Sequence, residues 1–232
     1  EYKMLKNKNS VDTSSKVFNS IDTWKKTIYP KSDGQNKYIQ AVNEYDVIFG
    51  LGPAGTGKSY LAVAKAVQSL KKGHIDKIIL SRPAVEAGEN LGFLPGDMKD
   101  KVDPYLRPIY DALYEMMPFE IVEKKIQEGI IEIAPVAFMR GRTFKNSFII
   151  IDEAQNTSSI QMKMILTRLG YGSKMIINGD LTQIDIKYIN DSGLSTAKKK
   201  LSNLKTIKFI NLNKKDVVRH KIVSEIISAY EK

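Results

Sequence analysis

The sequence predicts an α/β fold, a mainly parallel β-sheet flanked by helices on both faces. Three observations predict it. Short apolar runs alternate with stretches of helix-forming residues, the order in which parallel strands are joined by helical crossovers. One run, Phe148-Ile149-Ile150-Ile151, carries only apolar side chains, as expected of a strand covered on both faces. And Gly52-Pro53-Ala54-Gly55-Thr56-Gly57-Lys58-Ser59 fits the phosphate-loop pattern G-x-x-x-x-G-K-[ST] at every constrained position.

The elements follow in order. Residues 1–30 are polar, with Trp24 as an isolated large aromatic, and predict a flexible arm or loosely packed helix. Residues 31–232 predict a single domain, since no repeat or strong linker interrupts them. Residues 35–42 read as a short helix leading into a first strand at 46–51. The phosphate loop comes next, then a helix from Tyr60 that Gly73 is placed to cap. A second strand, 77–81, ends at Arg82-Pro83. Residues 84–118 hold Gly88, Gly92, Pro95, Gly96, Pro104, Pro108 and Pro118. They predict a loop-rich insertion with short helices, one of them over 105–116. Further strands are expected at 130–134, 148–151, 174–178 and 206–212, with helices at 159–169 and 217–231.

Composition narrows the function. With 42% hydrophobic residues the chain can bury a substantial core. No apolar run approaches the roughly 20 residues that cross a bilayer. No signal peptide is visible either, so a cytoplasmic protein with no membrane partner is expected. The absence of cysteine excludes disulfides, cysteine-built zinc sites and a thiol nucleophile. His74 and His220 are too few for a histidine-built metal site. A net charge of +10 favours polyanionic partners, although Lys-, Asn- and Ile-rich composition also follows from an AT-rich genome.

The glycine loop carries the first chemistry. Its glycines let backbone N–H groups close on phosphate oxygens, and the helix start adds its positive end. Gly52, Pro53, Ala54, Gly55, Thr56, Gly57, Lys58, Ser59 and Tyr60 are the expected ATP-binding run. Lys58 is placed for the β- and γ-phosphates and Ser59 for Mg²⁺. The run Ile149-Ile150-Ile151-Asp152-Glu153 is the expected complement: Asp152 to hold Mg²⁺ opposite Ser59 and Glu153 to orient or deprotonate the attacking water, the alternative being ordinary loop acids that cap the following helix.

Three weaker signals remain. Asn178-Gly179-Asp180-Leu181-Thr182-Gln183 follows another apolar strand, so Gln183 is either a γ-phosphate sensor on the same rim or part of a turn. Gln35 either pairs with the edge of adenine or faces solvent on a polar helix. Arg82, Arg140, Arg142 and Arg219 are candidates for a phosphate-neutralising finger, a nucleic-acid contact or simple solvated charge, with Arg219 preferred as the finger.

Taken together, several segments resemble the PhoH-like ATPases, relatives of the superfamily 1 helicase core. They are the Gln35 segment, GPAGTGKS at 52–59, SRPAVEAGENLGFLPGD at 81–97, FMRGRTF at 138–144, FIIIDEAQN at 148–156, NGDLTQID at 178–185 and DVVRH at 216–220. The resemblance covers about residues 35–220 in order, and its 81–97 segment is long and specific. It implies a RecA-like core that hydrolyses ATP with Mg²⁺, a link to RNA metabolism, and a minimal version of the kind also found in bacteriophages. A single core leaves the nucleotide cleft one-sided. A head-to-tail ring, a hexamer, in which a neighbour supplies an arginine is therefore expected.

Three activities compete. One is an ATP-driven motor or remodeller on single-stranded nucleic acid, RNA before DNA, with Phe93, Tyr105 and Tyr110 as stacking candidates, although apolar packing inside the 84–118 insertion is the first expectation for each. Another is a phosphotransferase, which the Asp152-Glu153 pair disfavours because a water-activating glutamate wastes ATP. The third is a nucleotide-dependent switch or binding module.

Overall fold

A computed structural model describes residues 19–83, 98–184, 192–219 and 221–230. Six strands form one all-parallel sheet: β3 (Val47–Leu51), β4 (Lys77–Arg82), β5 (Ile131–Pro135), β6 (Ser147–Ile151), β7 (Lys174–Gly179) and β8 (Ile207–Asn211). Their order is β5-β4-β6-β7-β3-β8. This is the mainly parallel, doubly covered sheet expected of a RecA-like core.

Alternation along the strands builds two cores, because successive side chains leave opposite faces. Ile48, Ile78, Leu80, Phe148, Ile150 and Ile176 pack with helices α1 (Asp33–Glu44), α2 (Lys58–Lys71) and α3 (Met98–Met116). Phe49, Ile79, Ile149, Ile151, Met175 and Ile177 pack with α5 (Ser159–Leu166) and α6 (Gly193–Leu201). β6 is buried at all five positions, as its apolar run requires. α4 (Phe119–Gln127) adds Val122 to the first core, and α7 (Lys221–Tyr230) closes the described chain.

Several expectations need correction. Residues 19–30 are not a loose arm: β1 (Ile21–Asp22) and β2 (Thr27–Ile28) pair antiparallel. Ile21 is fully buried, and the Lys25 N–H donates to the Met116 carbonyl at 3.0 Å. Packing therefore begins well before residue 31. The helix expected over 105–116 starts at Met98 and runs through Pro104 and Pro108. A proline costs an interior helix one hydrogen bond. Here Leu106, Ile109, Leu113 and Met116 fall on one buried face, and their packing holds the helix together. α5 stops at Leu166, and the residues before α7 include a 3₁₀ turn, Lys214–Asp216. Gly73 does follow the C-cap of α2, with φ +68°, as expected.

All six strands are parallel, so the loops after β3, β4, β6 and β7 emerge on one rim.

Candidate active site

The phosphate loop runs from β3 into α2. Gly52, Gly55 and Gly57 have φ of +149°, +82° and +80°, values that side-chain-bearing residues adopt only under strain. Gly55 also admits a neighbour: a Cβ there would stand 2.5 Å from Arg219 Nε. Lys58 is 9% exposed, and its ammonium donates to the carbonyls of Gly52 at 2.7 Å and Pro53 at 2.9 Å. Burial lowers its pKa, while Asp152, Asp180 and Glu153 pull it back up.

Across the loop, Ser59 Oγ donates to Asp152 Oδ1 at 2.5 Å. Asp152 closes β6, and its N–H donates to the Ser81 carbonyl of β4 at 2.9 Å. Burial pushes its carboxyl above the ordinary aspartate range, against the Ser59 hydrogen bond. A hydroxyl and a buried carboxylate in contact form a hard-oxygen pair that suits Mg²⁺. No group of three or more His, Cys, Asp or Glu residues able to hold a metal occurs among the described residues. Mg²⁺ at this pair would therefore complete its shell with phosphate and water oxygens, its usual mode.

Glu153 adopts a left-handed conformation, φ +51° and ψ 38°, which is uncommon for a side-chain-bearing residue. Its carboxylate is held on both oxygens. Arg82 Nη2 lies 3.1 Å from Oε1, and Gln155 Nε2 donates to Oε2 at 2.6 Å. The other end of the Gln155 amide accepts from the Asp180 N–H at 3.1 Å, so one buried glutamine ties the end of β7 to Glu153. Asp180 Oδ1 accepts from the Thr182 N–H and hydroxyl, while Oδ2 is buried with no hydrogen-bond partner.

A cavity of about 250 Å³ gathers Ala54, Gly55, Gly57, Lys58, Ser59, Tyr60, Asp152, Glu153, Asp180 and Gln183. The expected loop, acid-pair and Gln183 residues thus meet on one rim. Sequence reasoning missed Gln155 and Asp180 as individual contributors, although both stand inside motifs it had singled out.

Two other expected residues meet the site differently. Gln35 does not face solvent. It is 4% exposed, donates from Nε2 to the Thr56 carbonyl at 3.0 Å and accepts at Oε1 from the Lys31 N–H at 2.7 Å. It therefore braces the phosphate loop, and pairing with adenine would have to use the remaining amide hydrogen and lone pair. Arg219 reaches the loop from its own chain. Asp216 accepts from the Ser32 hydroxyl at 2.6 Å and from the Gly34 N–H, which fixes residues 213–216 on α1. The Val218 N–H then donates to the Gly55 carbonyl at 2.9 Å, setting Arg219 beside Gly55.

The remaining candidates do not join the cavity. Arg142 pairs with Glu132, Nη2 to Oε2 at 2.7 Å, and lies over the Phe144 ring; Arg140 is exposed. Tyr110 is partly buried, packs against the first core and lies with its ring centroid 6.4 Å from that of Tyr114, the apolar packing first expected of it. Phe93, His220 and the side chain of Tyr105 lie outside the described residues.

Fold, loop and acid pair define a phosphate-loop NTPase. A family model described as "PhoH-like protein" matches residues 27–231. The PhoH-like protein of Bacillus subtilis (strain 168) is 59% identical over 207 residues, covering 89% of this chain and 65% of that protein. Protein PhoH of Escherichia coli (strain K12) is 40% identical over 205 residues, covering 88% and 58%. The chain belongs to the PhoH-like protein family. It spans about three fifths of the length of these curated relatives. Among solved structures, the Pif1 helicase from Candida albicans aligns with TM-score 0.42 and 16% identity over 85% of this chain and 42% of its own.

Proposed function

We propose that this protein hydrolyses ATP with Mg²⁺ and couples turnover to binding or remodelling single-stranded nucleic acid, RNA before DNA, in a helicase-like manner. The observation that carries the hydrolytic reading is the convergence of Lys58, the Ser59–Asp152 pair and Glu153 on one cavity.

In this reading Lys58 turns from the Gly52 and Pro53 carbonyls to the β- and γ-phosphates. Mg²⁺ held by Ser59 and Asp152 would neutralise charge on the β- and γ-oxygens. Glu153 takes a proton from the water whose oxygen bonds to the γ-phosphorus, as the bond from that phosphorus to the β-bridging oxygen breaks. Gln183 orients that water or senses the γ-phosphate, and Arg219 offsets the transition-state charge from within the same chain. Adenine and ribose take the adjoining cavity of about 610 Å³, bordered by Tyr29, Gln35, Tyr60 and Val218.

A net charge of +10 and the PhoH-like sequence support the nucleic-acid partner. Val223, Ile226 and Tyr230 of α7, exposed by 38%, 50% and 90%, supply apolar surface for a hexameric ring. The place of action proposed is the bacterial cytoplasm; no helix among the described residues is long and apolar enough to cross a membrane. One observation favours a second reading, a slowly hydrolysing nucleotide-dependent switch: both oxygens of the Glu153 carboxylate are already engaged.

Steady-state ATP hydrolysis with Mg²⁺, with and without single-stranded RNA or DNA, tests both readings. Turnover raised by RNA and abolished by Glu153→Gln supports the coupled ATPase. Turnover indifferent to both polymers favours the switch, and Glu153-independent turnover removes the catalytic assignment. Light scattering that gives a monomer with full activity would exclude the ring.

A further inference from the structure

A cavity of about 960 Å³ lies away from the phosphate loop, with none of the residues Gly52–Ser59 in its lining. It opens on the rim formed by the amino ends of the strands. Asp46 precedes β3, His74 and Ile75 precede β4, Lys145 precedes β6, and Lys174 begins β7. α2 connects the two rims, with its first turn in the phosphate loop and Lys65 and Gln68 of its later turns in this cavity. At 1.5 Å per residue, Lys65 lies about 10 Å along the axis from Lys58, and Lys72 about 20 Å.

Four lysines line this cavity, Lys65, Lys72, Lys145 and Lys174, against one carboxylate, Asp46. Asp46 lies 3.9 Å from Lys174 and is itself 81% exposed, so it neutralises little. Lys174 also donates to the Tyr45 carbonyl. Lys65 is 8% exposed, and its ammonium donates to a neutral group, Gln68 Oε1, at 2.6 Å. Among the described residues no carboxylate pairs with Lys65, Lys72 or Lys145. A buried ammonium without a counter-charge is costly. Burial accordingly lowers the affinity of both Lys65 and Lys174 for their protons, and Lys72 and Lys174 lower that of Lys65 further. The missing component is negative charge. Val42, Ile75, Phe148 and Leu169 give the cavity an apolar stretch of wall, and the exposed Tyr171 also lines it.

We propose that this cavity is a second ligand site, which takes a small phosphorylated molecule with its phosphate among Lys65, Lys72, Lys145 and Lys174 and its body on the apolar wall. The volume is that of a small-molecule site. The ligand class follows from the excess of primary ammoniums, which suit a multiply charged anion. The site is independent of ATP hydrolysis at the other rim.

Calorimetric titration of the full chain with inorganic diphosphate and with AMP, in Mg²⁺-free buffer, tests this. Lys58→Ala is introduced first to weaken anion binding at the phosphate loop. One binding event is expected, weakened at least about tenfold by adding Lys72→Glu and Lys145→Glu, two exposed positions whose charge reversal acts through the field in the cavity. A melt checks that the added pair leaves the fold intact. Reaction with pyridoxal 5′-phosphate, reduction with borohydride and peptide mapping give a second readout. Lys65 should be modified ahead of exposed lysines and protected by whichever anion binds. Diphosphate carries the greater charge, so tighter diphosphate means recognition of phosphate alone and removes the apolar contact from the proposal; AMP that binds equally or more tightly means that the apolar wall contributes. The proposal fails if neither anion binds at millimolar concentration, or if binding ignores the Lys72 and Lys145 reversals.

Discussion

The guanidinium of Arg82, at the end of β4, holds the Glu153 carboxylate at 3.1 Å across the boundary with β6. Gln155 holds the other oxygen at 2.6 Å, so Glu153 keeps a left-handed backbone and one side-chain direction at once. A positioning role for Arg82 follows. Arg82→Ala should lower kcat for ATP about tenfold with KM little changed, since the aligned carboxylate matters in the transition state rather than in nucleotide binding. Arg82→Lys should recover part of the loss. A kcat that rises in Arg82→Ala would mean instead that the pair restrains Glu153.

Asp152 links acid to metal affinity. Burial raises its pKa, Glu153 adds to the rise, and the Ser59 hydrogen bond and Arg82 oppose it. Mg²⁺ must displace the proton that burial favours. Apparent Mg²⁺ affinity should therefore weaken on acidification while the pH is still above about 4, where an ordinary aspartate titrates. The stability sign is also fixed. The folded chain holds this proton more tightly than the unfolded chain, so between the two pKa values stability falls as pH rises. Asp152→Asn should remove that slope, and paired melts of the two proteins without Mg²⁺ across the acidic range would show whether it does.

The phosphate loop and the acid pair were legible because phosphate chemistry packs its requirements into eight or fewer consecutive residues, from Gly52 to Ser59 and from Ile149 to Glu153. The inner strands β4, β6, β7 and β3 were legible for a related reason, since burial on both faces leaves apolar runs with little alternative reading. The β1–β2 hairpin was not, because two residues per strand give no alternation to detect. α3 was shortened by its prolines, whose local cost is outweighed by a buried face visible only once α2 lies beside it. α4 and α6 went unread. α6 carries Lys198, Lys199 and Lys200 in its last turn, and its apolar side is only Leu194, Ala197 and Leu201, a thin stripe in nine residues. The struts of the site, Arg82 to Glu153, Gln155 to Asp180 and Gln35 to Thr56, join segments whose proximity is a property of the sheet and not of any local pattern.

Tyr38 ties α1 to the end of β7. It is fully buried, and its hydroxyl donates to Asn178 Oδ1 at 2.8 Å. Gly50 of β3 makes the contact possible, since a Cβ there would lie 2.5 Å from Asn178 Oδ1 and 2.6 Å from the Tyr38 ring. Asn178 Nδ2 is already without a hydrogen-bond partner, so Tyr38→Phe leaves neither end of that amide paired. The expected loss of stability is about 1–3 kcal/mol, read as a melting temperature lower by about 2–4 °C per kcal/mol in a chain of this size. An unchanged melt would mean that the buried amide finds another partner.

Lys65 gives the opposite pH signature to Asp152. Burial, with Lys72 and Lys174 adding to it, lowers its pKa from 10.5 to about 8. The folded chain therefore releases this proton more readily than the unfolded chain. Below about 8 both states carry it and the folded state bears the whole cost of the buried ammonium; between 8 and 10.5 that cost is progressively lifted, so stability rises with pH. Lys65→Met keeps a long unbranched side chain and removes the charge. It should melt higher than the parent at neutral pH in buffer free of phosphate. It should also lack the parent's relative gain in stability as pH rises from 8 towards 10.5. The Gln68 carbonyl oxygen loses its 2.6 Å partner in this variant, but it borders the open cavity, where water can replace the ammonium. Parallel pH–melting curves for parent and variant would show that the Lys65 ammonium is not destabilised in the fold, and would withdraw the charge deficit on which the anion site is argued.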